Sequence, residues 1–149
     1  MISSGLTPNN LPRLCAMKTE YSIKTTSREQ MIDVTSLVQK AVTESKIKDG
    51  FAFCYVPHTT AAVTINENAD PDVTYDILYK LKKEIPQSEG YHHAEGNSDA
   101  HIKSSLFGAS QQILIEEGRL VLGSWQAVFF CDFDGPRQRK FYVRVVPIA

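Results

Sequence analysis

QILIEEGRLVLGSWQAVFFCDFDGPRQRKFYVRVV, residues 112–146, is a series of short apolar runs broken by turn residues. Gln112–Ile115, Leu120–Leu122, Gln126–Phe130 and Lys140–Val146 read as strands, rich in β-branched and aromatic side chains. Glu116-Glu117-Gly118 and Asp134-Gly135-Pro136 carry the residues that tight turns use. Such a meander needs antiparallel pairing, because its links are too short for crossover helices. Upstream the pattern is mixed. Glu20–Thr26 alternates as a strand, and Ser27–Glu29 turns the chain into a second short strand near Gln30–Asp33. Val34, Leu37, Val38, Ala41 and Val42 recur at helical spacing, with Asp33 or Thr35 as cap and Gly50 just beyond the end. Phe51–Pro57 and Ala61–Ile65 read as strands. Asp70-Pro71 opens a helix whose apolar face is Val73, Ile77, Leu81 and Ile85, and Pro86 ends it. Gln87–Asp99 reads as a long loop and His101–Phe107 as a short helix. The sum is a single α+β domain with an antiparallel-rich sheet and two to three helices, not an alternating parallel α/β fold.

The chain has 149 residues, of which 42% are hydrophobic and 22% charged, so it can bury a core. Sixteen Lys and Arg against 17 Asp and Glu give a net charge of −1, with no basic field for nucleic acid or an anionic membrane. No apolar run approaches the roughly 18–20 residues that cross a bilayer. Three Cys, at 15, 54 and 131, form no CxxC pair or disulfide framework, and no secretory leader is legible. The expectation is a cytoplasmic protein. Residues 1–17 carry no apolar period and read as a flexible N-terminal extension, with the domain over 18–149.

All four His, at 58, 92, 93 and 101, lie in the middle of the chain. Imidazole suits zinc, and three protein ligands with one open position is the catalytic pattern. His58, His93 and His101 form the candidate ligand set, with Glu67 or Glu95 as a further ligand, a supporting partner or a base. Their spacing matches no standard zinc signature, so the same His also fit a role as polar loop residues and helix caps. His92 reads as an exposed bystander. Glu67 and Asp70 suit Mg²⁺ over a diphosphate, or alternatively a solvated loop and an N-cap. Arg137 follows the Asp134-Gly135-Pro136 turn and can fork onto an anion. Trp125 reads by default as core, with stacking on a heterocycle as the other option. Cys54 reads as core and Cys131 as a nucleophile without a base.

Taken in order, the motifs are His58-Thr59-Thr60-Ala61, Thr64-Ile65-Asn66-Glu67-Asn68-Ala69-Asp70-Pro71, and His93-x-Glu95-Gly96-Asn97 with Ala100-His101-x-Lys103. Gly123-x-Trp125-Gln126 and Phe133-Asp134-Gly135-Pro136-Arg137 follow. From about residue 18 to the end, this series resembles the YjbQ-like family, the secondary thiamine-phosphate synthase enzymes. Ser124 stands where that family often has Thr, and Cys131-Asp132 replaces a more acidic stretch. The resemblance implies a compact fold with a sandwich-like β core, a homotrimer, and a site at the subunit boundary where Arg137 faces a neighbour's His cluster. It implies Glu67, His93, Glu95 and His101 as catalytic residues and His58, His93 and His101 as metal ligands. Thr59, Thr60, Asn66, Asn97, Lys103, Trp125 and Arg137 would bind substrate, with a divalent metal, zinc or magnesium, as cofactor. The implied activity, a secondary one, joins hydroxymethylpyrimidine diphosphate to thiazole phosphate and releases pyrophosphate. Three His sit better with zinc than with a Mg²⁺–diphosphate site. That keeps two alternatives open: a zinc-dependent hydrolase or lyase on a small phosphorylated or heterocyclic substrate, and a non-enzymatic trimeric metal- or ligand-binding protein.

Overall fold

The computed structural model describes residues 18–148, so the extension expected over residues 1–17 lies outside the described residues. Eight strands and three helices follow in the order β1 (Lys18–Lys24), β2 (Gln30–Asp33), α1 (Thr35–Ser45), β3 (Gly50–Tyr55), β4 (Ala61–Glu67), α2 (Pro71–Glu84), α3 (Ser98–Phe107), β5 (Ser110–Glu116), β6 (Arg119–Leu120), β7 (Gln126–Asp132) and β8 (Gln138–Pro147). They form a five-stranded sheet, β1-β8-β3-β5-β6, and a three-stranded sheet, β2-β7-β4. Every pairing is antiparallel. This is the α+β domain with a sandwich-like core that the sequence led us to expect.

The small sheet is the middle layer. One face of it, through Ala61, Val63, Val128 and Phe130, packs against the large sheet and against Val34, Val38, Ala41 and Val42 around α1. Its other face, through Ala62, Ala127, Phe129 and Cys131, packs against α3 and against Leu78 and Leu81 of α2. That position explains two sequence patterns. β7 is buried on both faces and reads as an unbroken apolar run, whereas β8 has one outward face and alternates strictly.

Local signals act largely as read. Asp70 caps α2 by accepting from Asp72 N at 2.9 Å, with Pro71 at the first position. Asp33 accepts from Thr35 N at 2.9 Å and serves α1 from just outside it. Two elements differ. α1 ends at Lys46 in a left-handed conformation (φ 59°). Gly50 instead opens β3, where a Cβ would strike the Val146 carbonyl oxygen. α3 begins at Ser98, not His101, because Asn97 O accepts from Ala100 N and His101 N at 3.0 and 3.3 Å. The expected loop therefore ends before Ser98. Within the described residues no helix is long and apolar enough to cross a membrane.

Candidate functional site

Starting α3 at Ser98 places His101 in its first turn, beside the preceding loop. The loop bends back at Gly96 (φ 75°), whose carbonyl accepts from Gln87 Nε2 at 3.3 Å. This brings His93 edge-on to His101, with ring centroids 5.3 Å apart and planes at 84°. His93 Nε2 lies 3.5 Å from Glu95 Oε2. The two imidazoles open onto a shallow cleft of about 420 Å³ that Tyr91, Ser98 and Ile102 also line.

The turn between β7 and β8 meets the start of α3 at Asn97. Phe133 N donates to Thr60 O at 3.1 Å and Gly135 N to Arg28 O at 2.9 Å. Asp134 Oδ2 then accepts from Asn97 Nδ2 at 2.9 Å and from Arg137 Nη2 at 3.0 Å. One carboxylate oxygen thus ties the start of α3 to the guanidinium of Arg137, which stays half exposed. Asn97 Oδ1 is buried without a partner. Arg137 is accordingly tied to the start of α3 in its own chain.

His58, on the loop after β3, is held differently. Its Nε2 accepts from Lys140 N at 2.8 Å. Burial, and next the positive charge of Arg139, lower its pKa, so the imidazole is neutral at pH 7. Ser104 Oγ of α3 donates to Thr59 O, and Arg139 Nη2 donates to Thr60 Oγ1 at 2.8 Å. Thr59 and Thr60 therefore brace the scaffold through these bonds.

Sequence reasoning missed two buried ion networks. Arg139 Nη2 and Nε donate to Asp132 at 2.7 and 3.1 Å, and Thr25 Oγ1 donates to Asp132 Oδ2 at 2.8 Å. Burial pushes the Asp132 carboxyl up, but the Arg139, Asp134 N and Thr25 donors together hold it below its ordinary value. In the second network Arg28 forks onto Asp99 with two 2.9 Å bonds, and Lys103 Nζ donates to Asp99 at 2.9 Å and to Glu29. Lys103 is only 1% exposed, so its ammonium is spent on carboxylates rather than offered to a phosphate. Hydrogen bonds from Arg28 and Lys103 likewise outweigh burial and lower the Asp99 pKa. The signal available in the sequence was Asp99-x-x-x-Lys103, an i,i+4 pair on one helix face.

The remaining expected residues are elsewhere. β4 runs beside β7 from Ala61↔Asp132 to Glu67↔Gln126. Six residue steps at about 3.3 Å separate its ends by roughly 20 Å. Asn66, Glu67 and Trp125 occupy the far end, away from Thr60 and the β7–β8 turn. Asn66 Oδ1 accepts from Glu67 N at 2.8 Å, and Trp125 O accepts from Asn68 N at 2.8 Å. Trp125 is 67% exposed, which corrects the core placement expected by default. Cys54 and Cys131 are buried, and burial pushes the Cys54 thiol up to about 12 and that of Cys131 higher still. Neither is a nucleophile.

The family model described as UPF0047 protein YjbQ-like matches residues 19–147. The chain belongs to the YjbQ-like UPF0047 family. A UPF0047 protein of Methanocaldococcus jannaschii is 56% identical over 127 residues, covering 85% of this chain and 92% of its own. The UPF0047 protein YugU of Bacillus subtilis is 51% identical, over 83% of this chain and 95% of its own. Among solved structures, a YjbQ/UPF0047 family protein of Clostridium acetobutylicum superposes with a TM-score of 0.85 at 58% identity, covering 86% of this chain and 99% of its own. A protein of unknown function from Sulfolobus solfataricus matches with a TM-score of 0.85 at 31% identity, over 89% and 97% of the two chains.

In this YjbQ-like chain the donor set falls short of a three-ligand metal centre. Among the described residues, no three His, Cys, Asp or Glu side chains converge to hold an ion. His93 and His101 converge, with Glu95 beside His93. His58 has its Nε2 committed to the Lys140 amide.

Proposed function

We propose that this YjbQ-like protein is an enzyme acting on a small phosphorylated substrate at the His93–His101–Arg137 cluster, with thiamine phosphate synthase-type transfer as a secondary activity. In that reaction the C–O bond between the pyrimidine methylene and the diphosphate breaks. Its electron pair leaves with the diphosphate oxygen, and the thiazole nitrogen bonds to the methylene carbon. The chemistry asks for charge stabilisation at the leaving group. The supporting observation is the bridge at Asp134, which ties the half-exposed Arg137 guanidinium to the start of the helix carrying His101. Arg137 takes the leaving phosphate group, and His93 and His101 hold or move protons at its oxygens.

Glu67, Asn66 and Trp125 take part from a neighbouring subunit of a homotrimer in this reading. Their separation of roughly 20 Å along β4 keeps them from reaching the cluster of their own chain. A divalent metal, zinc or magnesium, would also need a ligand from that neighbour. The second reading, a hydrolase or lyase on a small phosphorylated or heterocyclic substrate, is favoured by the close His93–His101 pair with Glu95 at 3.5 Å. Pyrophosphate release is the deciding assay. We expect release that depends on both co-substrates and falls at least about a hundredfold in His101→Ala and Arg137→Ala. Phosphate release from one substrate alone would select the hydrolase reading, and no release of either kind would reject an enzyme of this class.

A further inference from the structure

The second cleft of the molecule lies on the other side of α3. Asp99 and Lys103 project from α3 about 160–200° away from His101 around the helix axis. They form the floor of a cleft of about 600 Å³ between α2 and the turn carrying Ser27, Arg28 and Glu29. That volume falls within the range of small-molecule sites.

Its α2 wall is a single stripe, Tyr75, Leu78, Tyr79 and Lys82, at the i, i+3, i+4, i+7 spacing of one helix face. A stripe of this kind ordinarily faces a core. Here Tyr75 and Tyr79 remain 67% and 58% exposed, and no residue of α2 is fully buried. The two rings lie near-parallel, at 10° and 6.3 Å between centroids, and both line the cleft. Pro86 adds apolar surface at the end of the cleft.

The charges decide what suits this wall. On the floor, Arg28 and Lys103 are matched by Asp99 and Glu29, two cations against two carboxylates, so the floor is neutral. On α2, Lys80 pairs with Glu84. Lys82 forms no ion pair among the described residues, and it stands one turn beyond Tyr79 and Leu78 at the rim. The cleft therefore offers an aromatic face with a single uncompensated positive charge at one end.

We propose that this cleft binds a planar aromatic or heteroaromatic ring bearing one anionic group. The ring lies on Tyr75 and Tyr79 and the anion meets Lys82. The site shares no side chain with the His93–His101–Arg137 cluster and stands independently of the proposed reaction.

Fluorescence titration with two probes tests this on the full chain. Anilinonaphthalene sulfonate is an aromatic anion, and phenylnaphthylamine is its uncharged counterpart. Tyr79 and Lys82 are exposed, so the variants keep the fold. Tyr79→Ala should weaken both probes about tenfold. Lys82→Ala should weaken the sulfonate about tenfold and leave the amine within about twofold. Leu114→Ala, which removes an exposed apolar side chain on β5 outside the cleft, should change neither. The proposal is overturned if Tyr79→Ala and Lys82→Ala bind both probes like wild type, or if Leu114→Ala weakens them as much. It is overturned equally if the assembled protein binds neither probe, as it would with a second copy of the chain seated in the cleft.

Discussion

Replacing Arg139 by Met removes the partner of a carboxylate that has no exposure of its own. Asp132 is 0% exposed and Arg139 4%, joined by bonds of 2.7 and 3.1 Å. Breaking a buried pair from one side costs about 3–5 kcal/mol, because the other charge is left in a medium that solvates it poorly. Two donors stay with Asp132, the Thr25 hydroxyl at 2.8 Å and the Asp134 amide at 3.0 Å. They place the expected loss at the lower end, about 3 kcal/mol. For a chain of this size that is about 6–12 °C in Tm. The assay is urea unfolding at fixed protein concentration, since any assembly makes stability concentration-dependent. The pH dependence supplies a second check. In the wild type the Asp132 pKa is lowered, so its contribution is present above the unfolded value of about 3.9 and is lost as pH falls through the folded value. In Arg139→Met, burial outweighs the remaining donors and raises the carboxyl. The deficit against wild type is then greatest near neutral pH and shrinks as acid protonates Asp132. Adding Asp132→Asn should recover at least about 1 kcal/mol. A loss below about 1 kcal/mol in Arg139→Met, unchanged with pH, would refute this view of the pair.

At Gly135 a Cβ would strike the Ser27 carbonyl oxygen and lie 2.8 Å from Thr25 Oγ1. Gly135→Ala should therefore cost about 1–3 kcal/mol in urea unfolding, and wild-type stability would show that the turn has room. Elemental analysis should find that His93→Ala and His101→Ala each lose most bound transition metal while the exposed His92→Ala retains it. Equal content in all three variants and in wild type would show that His93 and His101 hold no metal. Light scattering should give the mass of three chains, and a monomer would reject the assembly.

Much of the fold was legible because period and capping are local. The strict alternation of β8, the unbroken run of β7 and the Asp70-Pro71 start of α2 each follow from neighbours in the sequence. The start of α3 was not. Asn97, Ser98 and Asp99 have the composition of a loop, and what makes them helical is a long-range partner set: Asp134 on Asn97 and Arg28 on Asp99. The site was legible in its residue types but not in its layout. His93, Glu95, Asn97 and His101 are close in sequence and stay close in space. Glu67 and Asn66 follow His58 by only a few residues, yet the strand between them carries them to the opposite end of the sheet. Lys103 looked free because a helix read from His101 leaves its i,i+4 partner Asp99 in the loop, and nothing local shows that Glu29 will close on it.

In the proposed enzyme the two ends of the small sheet, apart in one chain, complete one site across a subunit boundary. Co-refolding an inactive His101→Ala chain with an inactive Glu67→Ala chain, followed by pyrophosphate release, tests it most directly. If the site is shared in this way, mixed trimers would contain some boundaries where an intact His101 meets an intact Glu67, and partial recovery of activity is expected. Mixed trimers established by mass, with no activity recovered, would contradict it.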